Sequence, residues 1–459
     1  MTDQEIKATA AKQKVRPRGS ESAATSLADI LNIVRTGRAE TRQELESASN
    51  FGRSIVADRL SVLGELGLVD ESASGVATGG RAPKLVRFSA ARASIVVVSV
   101  SQTAIGVGLA DLSGRLLTEH HEAIETGLDA SITVDRVIGL IRWFLSRHTA
   151  GPEPWGISIS APGPVTLADL EPFMGRTPDF MPGWERARLV ERLVETFGVP
   201  VWMRSSHDAM TMGELRGGLG RGAESMLFVR VGRRINAGLV SEGRLYRGAS
   251  GAVGLIGQIA LAGQGGTLDA CAGAGHVEAA GRQVAEEGRS PVLADLLRRG
   301  AEITVNEVCQ AAQMGDAASV EIVSHSGRQL GAVIASLASM LDPKLIVLAG
   351  TVAQSNDIFL AAVRETVYGA SPPLVTRDLQ IQRSQLSGSA ALLGAAWIGT
   401  EELFRPDVLR EWVLTGTPLQ HPAFRALRDN LAKSEQRVSE DGGEGPDKAE
   451  DGVEGPDKA

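Results

Sequence analysis

The sequence has few of the residues that mark secreted or membrane proteins. Cys271 and Cys309 are the only cysteines among 459 residues, which excludes a disulfide framework and predicts a reducing compartment, the cytoplasm. No apolar run approaches the roughly 18 residues of a membrane-spanning helix, and the polar start predicts no signal peptide. With 43% hydrophobic residues, the chain is long enough for two or three domains with full cores.

Both ends of the chain are polar. Residues 1–25 carry scattered Lys and Arg and predict a disordered N-terminal arm. Near the other end, the segment DGGEGPDKA is followed by the similar DGVEGPDKA, and from Ser434 on there are nine acidic against three basic residues. Gly, Pro and like charge cannot bury a core, so residues 434–459 are predicted to be a disordered acidic tail.

Residues 26–89 have the pattern of a small DNA-reading module. Apolar residues at helical spacing predict a first helix over 26–36. Thr41 followed by Glu44 is the signature of a capping box and predicts a second helix over 42–49. A third helix is predicted over 53–66, followed by two strands around a loop at 72–80, which together would form a wing. The pattern favours a winged helix-turn-helix; the alternative is a three-helix structural module that contacts protein.

The third predicted helix turns several side chains outward at its N-terminal end, where a helix-turn-helix presents residues to base edges. They are Arg53, Ser54, Ile55, Ala57, Asp58 and Arg59. Arg81 and Lys84 flank the return of the wing, a place suited to phosphates or the minor groove. Residues 1–90 carry 13 Lys and Arg against 11 Asp and Glu, and this weak excess favours a dimer that reads specific bases over nonspecific attraction.

From Ser94 on, the pattern changes to alternating strands and helices. Each half of the segment 90–400 begins with a predicted antiparallel meander and continues with helix and strand, including one helix near 186–197. This order predicts an α/β domain of two lobes around a cleft. Residues 401–433 contain apolar, helix-like stretches and are predicted to form a C-terminal helical extension.

Several motifs of this middle segment follow one another in a specific order. They are residues 161–163 (APG), 207–209 (HDA), 243–251 (GRLYRGASG), 341–350 (LDPKLIVLAG) and 394–396 (GAA). In this order they resemble the ROK family (repressors, open reading frames and kinases), and residues 79–83 (GGRAP) resemble the wing of its repressor branch. The resemblance implies a two-lobed actin/hexokinase-like, ribonuclease H-like ATPase fold behind the winged helix-turn-helix, with a sugar or sugar derivative as effector.

The phosphate-handling residues of the family's kinases are missing. Where those kinases have an Asp-x-Gly-x-Thr turn, this chain has Ser99, which has no charge to hold a metal, and Ser101, whose side chain stands where backbone must approach phosphate. The second phosphate loop resembles residues 232–236, which contain Arg233 and Arg234. Because phosphoryl transfer depends almost entirely on positioning and charge stabilisation, we expect neither ATP binding nor kinase activity.

The resemblance also implies effector-binding residues. Asp208 corresponds to the family's catalytic base and would accept a hydrogen bond from a ligand hydroxyl; alternatively, it caps the helix that follows. His207 and Asp179 stand where the family has asparagines that contact the sugar; alternatively, Asp179 is a surface loop residue. Leu255 and Gln258 replace the glutamate and histidine of the family's Glu-x-Gly-His motif. Three alternatives follow: a less polar or differently oriented ligand, a charged ligand attracted by the two arginines of residues 232–236, or no ligand.

The family's zinc motif is similarly altered. It resembles residues 269–276, in which Asp269, Cys271 and His276 are residue types that can bind zinc. The alternative is a structural loop without metal.

The sequence therefore predicts a cytoplasmic transcription regulator, a repressor of carbohydrate-related genes, that binds a double-stranded DNA operator as a homodimer or dimer of dimers. Its kinase-like domain would sense a small molecule. Two alternatives are an ATP-dependent sugar kinase and a dimeric DNA-binding regulator that senses no ligand.

Overall fold

The computed structural model of the protein describes residues 18–72, 84–101, 103–124, 129–149, 151–165, 172–178, 182–261, 263, 265–386 and 388–441. Over these ranges the chain forms an N-terminal module, two lobes and a C-terminal extension. No helix in these ranges has both the length and the apolar character needed to cross a membrane.

The N-terminal module has three helices and one small sheet. These are α1 (Arg18–Arg35), α2 (Arg42–Ser49), α3 (Arg53–Glu65), β1 (Val69–Asp70) and β2 (Arg87–Phe88). The capping box of α2 is present: the Glu44 amide donates to Thr41 Oγ1 at 3.3 Å, and the Thr41 amide donates to Glu44 Oε2 at 3.1 Å. Strands β1 and β2 pair antiparallel, with Val69 opposite Phe88. The three helices and two strands predicted for residues 26–89 are thus present in the predicted order, while the wing loop predicted at 72–80 lies, from residue 73 on, outside the described residues.

The start of α1 differs from the prediction. The helix begins at Arg18 instead of residue 26, so the disordered arm predicted for residues 1–25 overlaps two turns of helix. The first turns of α1 are polar and carry no apolar periodicity, which is why the sequence pattern did not reveal them. The rest of the predicted arm, residues 1–17, lies outside the described residues.

The first lobe is built on a mixed five-stranded sheet. Its elements are β3 (Ser94–Val100), β4 (Ala104–Asp111), β5 (Leu116–Ala123), α4 (Ala130–Arg147), β6 (Pro154–Ala161), α5 (Trp184–Ala187), α6 (Leu189–Phe197) and β7 (Val201–Ser205). The strand order is β5-β4-β3-β6-β7, in which β3 to β5 are antiparallel and β6 and β7 are parallel to β3. The single helix predicted near residues 186–197 is broken at Arg188, whose φ is 54°.

The second lobe repeats this sheet. Its elements are α7 (Ser206–Gly217), β8 (Ser225–Val231), β9 (Ile235–Ser241), β10 (Arg244–Tyr246), β11 (Ala260–Leu261), β12 (Gly266–Thr267), α8 (Leu268–Ala272), α9 (Ala274–Glu286), α10 (Pro291–Arg298), α11 (Val305–Gln313), α12 (Ala317–Leu341), β13 (Leu345–Ala349), α13 (Thr351–Ser355), α14 (Asp357–Ala370), α15 (Pro373–Thr376) and β14 (Gln380–Arg383). The order β10-β9-β8-β13-β14 matches that of the first lobe, again with an antiparallel meander and two parallel strands. The prediction of two similar α/β halves is confirmed.

Three further helices complete the chain: α16 (Ser389–Leu403), α17 (Pro406–Trp412) and α18 (Pro422–Asp441). Helix α16 packs on β3 and β6 of the first lobe and crosses α7 at very short range. A Cβ atom at Gly394 would lie 1.6 Å from the Ala209 carbonyl oxygen, so the crossing requires glycine. Helix α18 runs eight residues into the tail predicted to be disordered from residue 434, and the tail from residue 442 lies outside the described residues.

The C-terminal extension joins the N-terminal module to the first lobe. The Phe404 ring packs edge-on against Phe88 of the module at 5.4 Å and lies 5.7 Å from Trp412. Trp412 in turn packs edge-on against Trp155 of β6 at 5.5 Å. All of these rings except Phe88 are fully buried, and Phe88 packs against the same core. The segment predicted as an extension therefore forms part of the first lobe's core, and the module rests on it.

Candidate functional site

The predicted DNA-reading residues lie at the N-terminal end of α3. Val56, Leu60 and Leu63 of this helix are buried in the module, which fixes the opposite face toward solvent. On that face Arg53, Ser54, Ile55 and Asp58 are exposed, and Ala57 is half-buried. Ile55, a large apolar side chain, is 42% exposed on the same face.

Arg59 differs from the other predicted base-reading residues. Its Nε donates to Ser26 Oγ of α1 at 2.8 Å, and its Nη1 forms an ion pair with the neighbouring Asp58. These contacts hold Arg59 against α1, and its role as a base-reading residue stays a prediction. Lys84 is exposed at the return toward β2, and Arg81 lies outside the described residues.

A buried polar cluster lies where β7 passes directly into α7. Asp208 and His207, in the first turn of α7, are each 4% exposed. His207 Nε2 lies 3.6 Å from Asp208 Oδ1, and Arg247 Nε lies 3.4 Å from Asp208 Oδ2. Both Asp208 Oδ2 and Arg247 Nε are buried and have no hydrogen-bond partner in the described part of the chain. Because buried polar atoms are normally hydrogen-bonded, the pair lacks a partner of the kind that a hydroxyl group beside it would supply.

The environment of the cluster sets the charge of His207. Burial lowers the pKa of its imidazole, the Asp208 carboxylate opposes that effect, and the positive charges of Arg247 and Arg230 add to it. His207 is therefore a neutral imidazole at neutral pH, able to donate one hydrogen bond and accept another. The alternative role of Asp208 as a helix cap is not supported: the N-cap residue of α7 is Ser205, and Asp208 Oδ2 accepts no hydrogen bond.

Sequence reasoning missed three arginines of this cleft. Besides Arg247, they are Arg204 at the end of β7 and Arg230 near the end of β8. Arg204 Nη1 donates to the Met203 carbonyl oxygen at 2.8 Å, its Nη2 forms an ion pair with Glu402, and burial lowers its pKa to about 10. A charged residue inside an otherwise apolar strand, as in both β7 and β8, is the signal that could have identified Arg204 and Arg230.

Arg233 and Arg234, by contrast, lie in the turn between β8 and β9 and are exposed. Arg233 Nη2 lies 3.7 Å from Glu278 Oε2 of α9, so its charge already has a surface partner. Asp179 lies outside the described residues. The buried cluster therefore contains two of the predicted effector-binding residues, His207 and Asp208.

The end of α16 connects this cleft to the N-terminal module. Glu402 pairs with the buried Arg204 of the cleft and also accepts a hydrogen bond from Arg405 at 3.1 Å. The preceding residue, Glu401, pairs with Arg35 of α1 at 3.1 Å. Two adjacent carboxylates on one helix end thus contact the cleft and the module.

A sequence profile of the ROK family matches residues 96–402, about two thirds of the chain. The chain belongs to the ROK family. It is 24% identical to the xylose repressor of Bacillus spizizenii over 362 residues, which cover 79% of this chain and 91% of that protein. It is 27% identical to a glucokinase of Halalkalibacterium halodurans over 279 residues, which cover 59% of this chain and 83% of that protein.

The solved structures agree in fold. A ROK family transcriptional regulator, described as a homologue of the Escherichia coli MLC protein, superposes with a TM-score of 0.70 at 20% identity. The superposition covers 86% of this chain and all of that one. The two-lobed kinase-like fold implied by the sequence resemblance is thereby confirmed.

The turn that corresponds to the first phosphate loop of ROK kinases is closed by a side chain. Ser101 Oγ donates to the Ala104 carbonyl oxygen at 2.9 Å and accepts from the Ala104 amide at 3.0 Å. Ser99 packs so closely on Gly106 that a Cβ atom there would lie 2.5 Å from Ser99 Oγ. The Ser101 side chain therefore takes up the carbonyl and amide groups of Ala104 at this turn.

Gln258 and Asp269, in the segment that resembles the ROK zinc motif, are hydrogen-bonded to each other. Gln258 Nε2 donates to Asp269 Oδ2 at 2.9 Å, and the Ile235 amide donates to Asp269 Oδ1 at 2.6 Å, so both carboxylate oxygens are engaged. Within the described ranges, no three His, Cys, Asp or Glu side chains form a metal-binding group. The predicted ligand set of Asp269, Cys271 and His276 is therefore not brought together.

Proposed function

We propose that the protein is a DNA-binding transcription regulator whose kinase-like domain senses a small molecule. The observation that carries this proposal is the exposed N-terminal face of α3, with Arg53, Ser54 and Ile55, beside the paired strands β1 and β2. We infer that this module is a winged helix-turn-helix with α3 as recognition helix, which makes double-stranded DNA the partner. The similarity to a xylose repressor, which extends over more of the chain than the similarity to a glucokinase, supports a repressor of carbohydrate-related genes.

The same cleft is not proposed to transfer phosphate. The turn closed by Ser101 and the arginine-containing turn at residues 232–236 both lack the open, glycine-rich backbone that cradles nucleotide phosphates. We propose that the chain is not an enzyme and takes no ATP. The Gln258–Asp269 hydrogen bond serves the loop at residues 258–269 in place of zinc, and we propose no resident metal there.

The proposed effector site lies beside the Asp208 Oδ2 and Arg247 Nε pair. A ligand hydroxyl at this place would donate to the carboxylate and accept from the guanidinium, which satisfies two buried atoms at once. The neutral His207 imidazole adds a further donor or acceptor at the same edge. This polar set suits a carbohydrate-like molecule.

Signal transmission is proposed to run through the end of α16. A ligand that moves Asp208 and Arg247 changes the charges around Arg204, whose partner Glu402 lies at the start of the extension. Glu401 and Phe404 then act on α1 through Arg35 and on the wing through Phe88. In a homodimer, a small rotation of each module changes the separation of two recognition helices, which must match half-sites about 34 Å apart.

The test of this function is operator footprinting on genomic fragments selected by the purified protein. We expect protected, pseudo-palindromic sites. Arg53→Ala should relax the preference at one base position and weaken binding by about 1–3 kcal/mol, because an arginine contact to a base edge is lost. Arg38→Ala, at an exposed arginine in the turn after α1, is the matched control and should leave the preference unchanged. Equal effects of the two substitutions would exclude α3 as the recognition helix.

A further inference from the structure

Arg59 lies where the recognition helix α3 meets α1. It follows the buried Val56 by three residues and precedes the buried Leu63 by four, and side chains at these spacings are neighbours on the surface of a helix. The side chain of Arg59 is 21% exposed, whereas that of the adjacent Asp58 is 64% exposed. The helical position of Arg59 therefore places its side chain at the edge of the face that packs on α1.

The guanidinium of Arg59 is held by two partners. Its Nε donates to Ser26 Oγ of α1 at 2.8 Å, and its Nη1 forms an ion pair with Asp58. Ser26 is only 6% exposed, and its hydroxyl donates to the Ala23 carbonyl oxygen at 3.0 Å. Since the hydroxyl proton is directed to its own helix, the oxygen is left to accept from Arg59. The bond between Arg59 and Ser26 thus joins α3 to a nearly buried side chain of α1.

These contacts engage nitrogen atoms that base recognition would require. An arginine that reads guanine donates two parallel hydrogen bonds, to O6 and N7, from two adjacent nitrogens. With Nε on Ser26 and Nη1 on Asp58, each possible pair of adjacent Arg59 nitrogens contains one that is already engaged. The carboxylate of Asp58 also offsets the charge that a DNA phosphate would meet. The geometry therefore favours a side chain that stays on α1.

Helix α1 is itself attached to the end of α16. Asn32 Nδ2 donates to the Phe404 carbonyl oxygen at 3.2 Å, and Arg35 pairs with Glu401 at 3.1 Å. Both contacts lie in the last two turns of α1, whereas Ser26 lies near its middle. Because a helix is a rigid element, a displacement at its C-terminal end also moves Ser26.

We propose that Arg59 is a positioning residue, which fixes the recognition helix α3 to α1 so that α3 follows the movements of α1. This inference rests on the proposed DNA-binding function and adds to it the contact by which the effector domain orients the recognition helix. It differs from the sequence-based expectation, in which Arg59 itself reads a base. Arg53, Ser54 and Ile55 keep the proposed base contacts.

The first experiment compares Arg59→Ala, Ser26→Ala and the double variant in titrations of the footprinted operator. The titrations include single-base variants of the operator and several salt concentrations, below the thermal midpoint of every protein. Each single substitution should raise the dissociation constant by about tenfold for all operator variants alike, with an unchanged salt dependence. The double variant should bind no more weakly than either single variant, because all three lack the same contact. Ser61→Ala, at an exposed serine of α3, is the control and should bind like the wild type.

Other outcomes assign Arg59 a different role. A preference relaxed at one base position by Arg59→Ala, but not by Ser26→Ala, would make Arg59 a base-reading residue. A salt dependence reduced by about one phosphate contact in Arg59→Ala alone would make it a phosphate ligand. Either result overturns the proposal, as do additive effects of the two substitutions or unchanged affinity in both. A wild-type chain that binds no operator would instead refute the proposed function.

The second experiment tests the contact without DNA. Hydrogen exchange of the amides of residues 57–60 is measured in the same variants. Loss of the bond between Arg59 and Ser26 should accelerate this exchange by about fivefold in Arg59→Ala and in Ser26→Ala. Ser61→Ala should cause no loss of protection. Unchanged protection in both variants would overturn the proposal, whatever the result with the operator.

Discussion

Trp412 is the residue at which the extension, the first lobe and the N-terminal module meet. Its ring is completely buried between Trp155 and Phe404, and Phe404 continues the contact to Phe88 of the module. The Trp412 indole Nε1 donates to the Leu403 carbonyl oxygen at 3.0 Å. Trp412→Ala should therefore destabilise the first lobe and loosen the module in one step.

The magnitude follows from the buried surface. A tryptophan buries roughly 150–250 Å², worth about 4–6 kcal/mol at about 25 cal/mol per Å². Alanine keeps part of that burial, and large aromatic-to-alanine changes in cores cost about 3–5 kcal/mol. The substitution also leaves a buried carbonyl group without its donor, which adds about 1 kcal/mol. We expect a loss of at least about 4 kcal/mol in the free energy of unfolding.

Urea unfolding followed by circular dichroism measures this loss. Leu414→Ala, two residues further on at a 47% exposed side chain, is the control and should cost less than about 1 kcal/mol. Hydrogen exchange of the α1 amides should accelerate in Trp412→Ala alone. The reasoning is refuted if the two substitutions cost the same, or if α1 keeps its protection while the first lobe is destabilised.

Two further predictions concern α7. Burial raises the pKa of Glu214, so the folded chain holds this proton to a higher pH than the unfolded chain does. The free energy of unfolding should then decrease as the pH rises from the ordinary pKa of a glutamate through the raised pKa of Glu214. Glu214→Gln should make the urea midpoint depend less steeply on pH between about pH 4 and 8. An unchanged pH dependence would contradict this prediction. Gly394→Ala should cost about 1–3 kcal/mol of stability in urea unfolding, because its Cβ would collide with the Ala209 carbonyl oxygen. Gly139→Ala, in an open position of α4, is the control and should be neutral or stabilising; an equally small effect of both would exclude the close crossing.

Local sequence signals predicted the elements that local interactions determine. The bounds of α2 follow from the capping box of Thr41 and Glu44, whose hydrogen bonds span three residues. The two similar lobes follow from the strand and helix order, since each meander is closed by short turns. The early start of α1 and the break at Arg188 were missed, because polar helical turns and left-handed residues other than glycine leave no pattern in the sequence.

The candidate site could be predicted only in part, because only some of its residues belong to a local sequence motif. His207 and Asp208 belong to a motif with a fixed place in the chain, and the structure buries both of them in the first turn of α7. The arginines of the cleft depend on contacts between distant segments, as in the pair formed by Arg204 and Glu402, which lie 198 residues apart. The role of the extension depends on similar contacts, because Phe404 packs on Phe88 and Trp412 packs on Trp155, both in segments far away in sequence.

The most direct test of a kinase-like fold that serves regulation is a pair of calorimetric titrations of the same purified protein. One uses a duplex that contains the footprinted operator, and the other uses ATP with Mg²⁺ in the presence of glucose. We predict saturable heat with the operator and no heat of binding or turnover with ATP. Phosphorylation of the sugar, or ATP binding together with a silent operator titration, would contradict the account.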